Sequence, residues 1–283
     1  MNTPHIAFIG AGNMASSIIG GLIESGHPAA LISAADPFPA SLERLGAIAP
    51  VKLCADNAAA VAEADVVIMA VKPQVMAAAT NSIARAVRAR RALVISIAAG
   101  VTIASMQARL GPEAAIVRCM PNTPALLGCG ASALFANARV SATQRDYAEA
   151  ILAAVGITRW VPDEDALDAI TALSGSGPAY FFLLMEAMID AGCGLGLDRD
   201  TATAMTLQTG LGAARMALES EVDLVELRQR VTSVRSGTAV PNHFSPSSGR
   251  IEVSIRSPGL ALPKIRLSRS SASGMPRSAA MRL

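Results

Sequence analysis

The fold of this chain is decided by residues 5–15, which read His5-Ile6-Ala7-Phe8-Ile9-Gly10-Ala11-Gly12-Asn13-Met14-Ala15. The apolar run from His5 to Ile9 predicts a short buried strand, Gly10 to Asn13 a tight turn, and Met14 to Ser25 a helix. The spacing is the GxGxxA variant of the dinucleotide fingerprint, in which glycines let the backbone approach a pyrophosphate at a helix N-terminus. The predicted cofactor-binding residues of this turn are Gly10, Gly12, Asn13 and Met14. An ordinary glycine-rich turn is the alternative.

Strands and helices are predicted to alternate through the first half of the chain. The further strands expected are Leu31–Ala35, Val51–Cys54, Val66–Val71, Leu93–Ile97, Ala115–Arg118 and Ala131–Phe135, and the further helices are Pro39–Leu45, Asp56–Glu63, Pro73–Ala89, Thr102–Leu110 and Thr143–Val155. Continuous apolar strands that alternate with helices favour a parallel sheet covered on both faces. We therefore expect an α/β fold whose first domain, residues 1–162, is a doubly wound Rossmann domain.

Helical periodicity dominates after Pro162. Helices are expected at Glu164–Leu173, Pro178–Cys193, Arg199–Ser220 and Asp223–Val231. The segment Tyr180–Met185 is apolar around the whole helix, which is more than a small domain can bury alone. Residues 163–233 are thus predicted to form a smaller all-helical domain that buries its surface in a homodimer or a larger oligomer.

Residues 234–283 differ in composition from the rest of the chain. They contain eleven serines, five prolines and eight lysines or arginines against one acid, Glu252. This composition predicts an atypical, disordered basic tail. Because the net charge of +2 comes from the tail, it indicates no nucleic-acid partner for the folded part.

Three further classes of function are disfavoured by the sequence. The most apolar stretch, Gly177–Leu197, contains Glu186 and Asp190, so no membrane span is expected. The four cysteines lack metal-ligand spacing, so no metal site is expected. The N-terminus does not have the pattern of a signal peptide, so a cytoplasmic location is expected.

The choice of cofactor depends on the end of the second strand. Asp36 lies where an acid would bind the ribose 2′-OH of NAD, or it caps the turn that follows. The sequence leaves both NADH and NADPH open.

Small or polar residues follow three later strands at the same predicted edge of the sheet. Ala70 lies at the end of the fourth strand, which Lys72 and Pro73 follow, and Ala98 and Gly100 follow the fifth; all five are expected near the cofactor. Asn122 follows the sixth strand. The segment containing Ser174, Ser176 and Gly177 lies just before a helix and offers backbone donors to an anionic substrate, or it is only a flexible hinge. Asn122, Ser174, Ser176 and Gly177 are the predicted substrate residues.

Neither lysine nor histidine occurs in residues 163–233. Oxidation of a hydroxy acid needs a base for the hydroxyl proton, whereas a protonated C=N bond accepts a hydride without one. Imine reduction is therefore favoured over a hydroxy-acid dehydrogenase.

Five segments together resemble the pyrroline-5-carboxylate reductase family in sequence and in order. They are Phe8–Ala15, Ala70–Gln74, Ser96–Val101, Met120–Pro124 and Leu173–Phe181. The resemblance covers about residues 5 to 233. It implies NAD(P)H-dependent reduction of 1-pyrroline-5-carboxylate to proline, a helical dimerisation domain, and a position for Asn57 near the adenosine side of the cofactor.

The family's substrate loop is matched only in part. Val231, Thr232 and Ser233 agree with the first three residues of the pattern V-T-S-P-G-G-T-T, and the chain then departs from it. Thr238 corresponds to the last threonine of the pattern by spacing alone. The resemblance makes Ser233 and Thr238 the candidate catalytic residues. The alternative function is a dinucleotide-binding protein that has lost catalysis through this altered loop.

Overall fold

The computed structural model describes residues 3–231 together with five short strands in the tail. In residues 3–160, eight strands alternate with six helices. The strands are β1 Ile6–Ile9, β2 Ile32–Ala35, β3 Lys52–Leu53, β4 Val66–Met69, β5 Leu93–Ser96, β6 Ile116–Met120, β7 Gly130–Ala136 and β8 Gly156–Trp160. The helices are α1 Asn13–Glu24, α2 Pro39–Ile48, α3 Asn57–Val61, α4 Met76–Arg90, α5 Ile103–Leu110 and α6 Ala142–Ala153.

The eight strands form one sheet in the order β3-β2-β1-β4-β5-β6-β7-β8. Strands β1 to β6 are parallel, which confirms the predicted doubly wound fold. Strand β7 departs from the parallel pattern and pairs antiparallel with β6. The connection from Met120 to Gly130 holds only a short 3₁₀ turn, Thr123–Leu127. A parallel return needs a crossover of about a dozen residues or more, so the chain turns back instead.

Strand β8, which the sequence analysis missed, pairs parallel with β7 at the end of the sheet. Its burial alternates, with Thr158 buried between exposed Ile157 and Arg159. The segment is short and follows directly on α6, which is why helical periodicity hides it.

Apolar residues fill both faces of the sheet. On one face Ile18 and Ile19 of α1 pack with Phe8 and Ile68. On the other face Ile83 and Val87 of α4 lie in a second buried cluster. Because both faces are covered, the central strands β1, β4 and β5 are buried along their whole length.

The chain divides into two compact units at Pro178. The boundary predicted at residues 162/163 thus lies earlier than this division. Helix α7, Ala166–Ile170, and the wide turn Thr171–Gly175 belong to the first unit. Leu167 of α7 is buried, which explains why this segment stays with the sheet.

The second unit contains the helical part of the chain that the sequence predicted. Its helices are α8 Gly177–Gly194, which begins at the division, α9 Arg199–Glu219 and α10 Leu224–Val231. Within the described residues, Ala166–Gly194 is long and apolar enough by length and composition to cross a membrane. Exposed apolar side chains such as Phe181 and Phe182 are responsible for this apolar character.

The described parts of the tail are five strands in two small antiparallel sheets: β9 Phe244–Ser245, β10 Arg250–Val253, β11 Arg256–Ser257, β12 Leu260–Ala261 and β13 Ile265–Leu267. The atypical, disordered basic tail over residues 234–283 stays a prediction. Ser233, Thr238 and the other tail positions lie outside the described residues.

His27, which follows α1, is half-buried, and its Nε2 has no hydrogen-bond partner among the described residues. Burial lowers the pKa of His27 below its ordinary value, and the nearby His5 acts in the same direction, while a hydrogen bond with the backbone of Pro4 opposes them. The folded chain therefore favours the neutral imidazole.

We expect this histidine to make the protein less stable in mild acid. An unfolded chain takes up a proton on histidine below about pH 6.5, whereas the folded chain resists it, so the free energy of unfolding falls as the pH drops below that value. Denaturant titrations between pH 7.5 and 5.5 on the wild type and His27→Gln measure this effect. The variant is expected to lose less stability over this range; equal losses in both proteins would contradict the assignment.

Candidate functional site

The turn after β1 passes directly against the end of β4. Gly10 has a φ of +100°, and its N–H donates to the carbonyl of Ala35 at 2.8 Å. A Cβ atom on Gly10 would lie 2.6 Å from the carbonyl oxygen of Ala70. Only glycine satisfies both the backbone conformation and the close approach at this position.

Helix α1 begins without a side-chain cap. Its N-cap residue is Gly12, which makes no capping hydrogen bond, and a Cβ on Gly12 would meet no atom within 4 Å. The first N–H groups of a helix have no intrahelical acceptor, so those of exposed Asn13 and half-buried Met14 face open space. Together with the positive end of the helix dipole they form an anion site.

Some other helices of the described chain satisfy a first N–H group with the side chain of their N-cap residue, whereas α2 and α4, like α1, have no side-chain cap. Asp56 accepts from the N–H of Ala59 at 2.8 Å in α3, and Ser141 forms a capping box at α6. Thr102 caps α5 and Asp198 caps α9 in the same way. Among the uncapped helices α1, α2 and α4, α1 is the one whose N-cap residue is a glycine beside open space.

Asp36, at the end of β2, stabilises the glycine turn. Its Oδ2 accepts from the N–H of Ala11 at 2.8 Å and its Oδ1 from the N–H of Phe38 at 2.9 Å. The bond to Phe38 agrees with the interpretation that Asp36 caps the turn that follows β2. The bond to Ala11 shows that the same carboxylate also holds the glycine turn after β1. A contact with the adenosine ribose stays a prediction.

Asn57 is the first residue of α3, beside the capping residue Asp56. Its side-chain amide donates to the hydroxyl of Ser82 at 2.9 Å, which connects α3 to α4. A role near the adenosine side of the cofactor stays a prediction.

The cofactor residues predicted after β4 and β5 follow adjacent parallel strands and lie at the carboxyl edge of the sheet. Ala70 donates its N–H to the carbonyl of Ile9 at 2.8 Å, so it lies beside the glycine turn. Lys72 and Pro73 are exposed. Ala98 is buried, and Gly100 is exposed with a φ of +73°. In the sheet order, β4 lies next to β1 and β5 next to β4, so these residues lie on the same side as the glycine turn, where doubly wound folds bind their ligands.

Asn122 links the end of β6 to the predicted substrate segment. Its Nδ2 donates to the carbonyl of Ser174 at 3.1 Å, and its Oδ1 accepts from the N–H of Ala131 at 2.8 Å. The Ser174 hydroxyl donates to the carbonyl of Ile170 at 3.2 Å. The structure therefore brings Asn122 and Ser174 together, and both polar atoms of the Asn122 amide have partners within the protein.

Ser176 and Gly177 close the same segment. The N–H of Ser176 donates to the carbonyl of Thr171 at 2.9 Å, and Gly177 is the buried first residue of α8. Contact of this segment with a substrate stays a prediction.

An ion pair between a buried arginine and a half-buried glutamate near this edge was not found by sequence reasoning. Arg118 in β6 donates to Glu164 at 2.7 Å, and its side chain is 9% exposed. Sequence patterns do not reveal a contact between residues 46 positions apart. The only sign in the sequence was an arginine inside an apolar strand, which indicates that a partner for its charge must lie nearby.

A groove of about 550 Å³ runs from the glycine turn along the outer face of α1. It is lined by Asn13, Ser16, Ser17 and Gly20 of that helix and by residues 125–128 after β6. The groove leads away from the carboxyl edge and contains none of the residues that follow β4 and β5.

Two family models match this chain. The description of the first is pyrroline-5-carboxylate reductase dimerisation, and it matches residues 164–240. The description of the second is NADP oxidoreductase, coenzyme F420-dependent, and it matches residues 5–100. The first match continues past Ser233 and includes Thr238, so the likeness extends farther than the motifs alone indicate.

Curated relatives cover most of the chain. A pyrroline-5-carboxylate reductase from Pseudomonas aeruginosa is 56% identical over 238 residues, which are 84% of this chain and 87% of that protein. A pyrroline-5-carboxylate reductase from Pasteurella multocida is 44% identical over 243 residues, 84% of this chain and 88% of that protein.

Solved structures show the same likeness. A pyrroline-5-carboxylate reductase from Coxiella burnetii is 45% identical with a TM-score of 0.79, covering 82% of this chain and 86% of that one. The Plasmodium falciparum pyrroline carboxylate reductase, solved with NADP bound, is 29% identical with a TM-score of 0.72 and the same coverage.

The role of the glycine turn is tested by a pair of glycine substitutions. Gly10 and Gly26 both have a φ near +100°, but a Cβ on Gly26 meets no atom within 4 Å. Gly26→Ala is expected to cost about 1–2 kcal/mol in free energy of unfolding and to leave dinucleotide affinity unchanged. Gly10→Ala is expected to cost more free energy of unfolding, because its Cβ would clash with the carbonyl of Ala70. The clash displaces the anion site, so dinucleotide binding is expected to weaken by about tenfold or more, which corresponds to about 1.4 kcal/mol.

Isothermal titration with the cofactor and denaturant titration measure these two effects. If Gly10→Ala binds the cofactor as tightly as Gly26→Ala does, the turn does not hold the dinucleotide.

Proposed function

The chain belongs to the pyrroline-5-carboxylate reductase family, and we propose that its reaction takes place at the carboxyl edge of the sheet beside α1. It is an NAD(P)H-dependent oxidoreductase that reduces a cyclic imine. The observation that carries this proposal is the open, uncapped N-terminus of α1 directly after the Gly10 turn. It fits a pyrophosphate, because backbone donors and a helix dipole meet there with room for a ligand.

Each part of the cofactor is assigned to residues that follow particular strands. The N–H groups of Asn13 and Met14 would hold the pyrophosphate, and Asp36 and Asn57 would face the adenosine. The residues that would border the nicotinamide are Ala70, Lys72, Pro73, Ala98 and Gly100. When bound, the dihydronicotinamide supplies a hydride to the imine carbon.

The substrate, 1-pyrroline-5-carboxylate, is assigned to the segment containing Ser174, Ser176 and Gly177. Asn122 holds this segment to the sheet through the carbonyl of Ser174. Ser233 and Thr238, which lie outside the described residues, are proposed to complete the grip on the substrate carboxylate. Substrate positioning is thereby the main contribution of these residues to the rate.

The proton balance of the reaction needs no dedicated base. The ring nitrogen enters protonated, the hydride forms the new C–H bond, and the C=N electron pair becomes the amine lone pair of proline. This agrees with the absence of lysine and histidine from residues 163–233. The chain has to bind, orient and shield the two reactants.

Self-association is supported by the dimerisation family model over residues 164–240. We propose a homodimer, or a larger assembly built from it, in which exposed apolar side chains of α8 and α9 are buried. Leu207, Leu211 and Leu218 of α9 are at least half-exposed and fall on one side of the helix. A second copy of the chain, rather than a membrane, covers them, and the proposed location is the cytoplasm.

A direct assay tests the activity. Purified protein is mixed with NADPH or NADH and with pyrroline-5-carboxylate, and nicotinamide absorbance and proline are both measured. We expect cofactor oxidation with one proline formed for each cofactor consumed. Cofactor binding without oxidation would instead mean that the altered loop has abolished catalysis, and oxidation only in the presence of a hydroxy acid would contradict imine reduction.

Light scattering tests the assembly. Leu211→Glu places a charge on each side of a symmetric interface and is expected to raise the dimer dissociation constant by at least about a hundredfold. Ile157→Glu is the matched control, because Ile157 is 60% exposed and Leu211 53%, and Ile157 lies on strand β8 of the sheet. The proposal is wrong if both variants stay dimeric or if both dissociate.

A further inference from the structure

Arg118 is the one charged residue among the buried residues of the part of the chain that the structure describes. It lies in the middle of β6, opposite Ser96 of β5 and Phe135 of β7. Its partner Glu164 precedes α7, and the Nη1 atom of Arg118 lies 2.7 Å from Oε1 of Glu164. Burying a charge is costly unless it is paired, so this site demands an explanation beyond packing.

The same carboxylate oxygen has a second partner. Oε1 of Glu164 accepts from the N–H of Ile103 at 2.8 Å. Ile103 is the first residue of α5, so this N–H has no acceptor within the helix. Thr102 caps the N–H of Ser105 in the same turn, at 3.3 Å. Glu164 is thus a remote second cap on α5, held in place by Arg118.

The cap fixes one end of the loop proposed to border the nicotinamide. That loop runs from Ile97 to Thr102 and includes Ala98 and Gly100. Its near end is fixed where β5 joins the sheet, with Ser96 in register with Met69 of β4. At its far end, Glu164 accepts from the N–H of Ile103, the first residue of α5.

Glu164 also controls the segment proposed to meet the substrate. Its carbonyl accepts from the N–H of Leu167 at 3.2 Å, and Leu167 is buried in α7. Helix α7 continues into the Thr171–Gly175 turn, where Asn122 holds the carbonyl of Ser174. Residues on both sides of the proposed hydride transfer are therefore connected through one residue, by the carboxylate of Glu164 on the α5 side and by its backbone carbonyl on the α7 side.

We infer that Arg118 and Glu164 form a positioning pair that sets the nicotinamide loop and the substrate segment at a fixed distance from each other. Neither side chain is assigned to a reacting atom. The inference rests on the proposed location of the cofactor. Because misplacing reactants by about 1 Å can slow a reaction by up to about a hundredfold, the pair acts on the rate of hydride transfer.

Glu164→Gln tests this inference, since glutamine keeps the shape and one acceptor oxygen but loses the charge. The matched control is Glu113→Gln, which removes the charge from the exposed Arg139–Glu113 pair, 3.0 Å long, in the same unit. We expect kcat of Glu164→Gln to fall by about tenfold with a larger deuterium isotope effect on hydride transfer, and the control to be unchanged. Affinity for ADP-ribose and its 2′-phosphate should stay within about twofold, because the adenosine side is untouched.

The fluorescence of bound NADPH or NADH gives a readout that does not need turnover. The emission of the bound nicotinamide is expected to differ between wild type and Glu164→Gln and to agree between wild type and Glu113→Gln. A wild type that binds the cofactor but does not reduce pyrroline-5-carboxylate would contradict the proposed reaction, while the fluorescence comparison would still decide the positioning role.

Two results would overturn the inference. One is a folded Glu164→Gln with unchanged kcat and unchanged nicotinamide fluorescence. The other is a loss of ADP-ribose affinity in step with kcat, which would indicate general damage to the fold. If the single variant does not fold, Arg118→Met/Glu164→Gln removes the unpaired charge, and the same loss of kcat is expected of it.

Discussion

The structure depends on a helix whose first N–H groups are left without protein acceptors. Helix α1 starts at an uncapped glycine, although a side-chain cap of the kind that begins α3 or α6 contributes about 1 kcal/mol. Leaving these donors open is tolerable only where an anion or water takes them. The residues around the turn keep it open in a fixed shape: Ala35 and Asp36 accept from Gly10 and Ala11, and the carbonyl of Ala70 excludes a side chain at Gly10.

The rest of the first unit positions two more strand ends against this turn. In-register parallel pairing of β1, β4 and β5 brings their carboxyl ends to one edge. The Arg118–Glu164 pair then connects that edge to α7, which explains why residues 163–178 belong with the sheet although they are helical. The helical part that follows presents apolar side chains on several faces, and a second copy of the chain is the partner that its family model indicates.

Much of this could be predicted from the sequence. The Gly10 turn and the helices that begin near Asp56 and Thr102 follow from local rules, because each depends on residues close together in the chain. The reversal at β7 depends on the length of a connection, which periodicity does not indicate. Strand β8 was missed because the helical pattern was extended to Val155, directly before the strand begins. Arg118 and Glu164 were missed for a different reason: they are separated by the whole of β7, α6 and β8, and periodicity carries no information on such a contact.

The most direct test of the central claim is a crystal structure of the protein with NADPH or NADH bound. We expect the pyrophosphate within hydrogen-bond distance of the backbone N–H groups of Asn13 and Met14, with the nicotinamide over the loop that contains Ala98 and Gly100. A cofactor bound in the groove along the outer face of α1, with those two N–H groups bonded only to water, would contradict the claim.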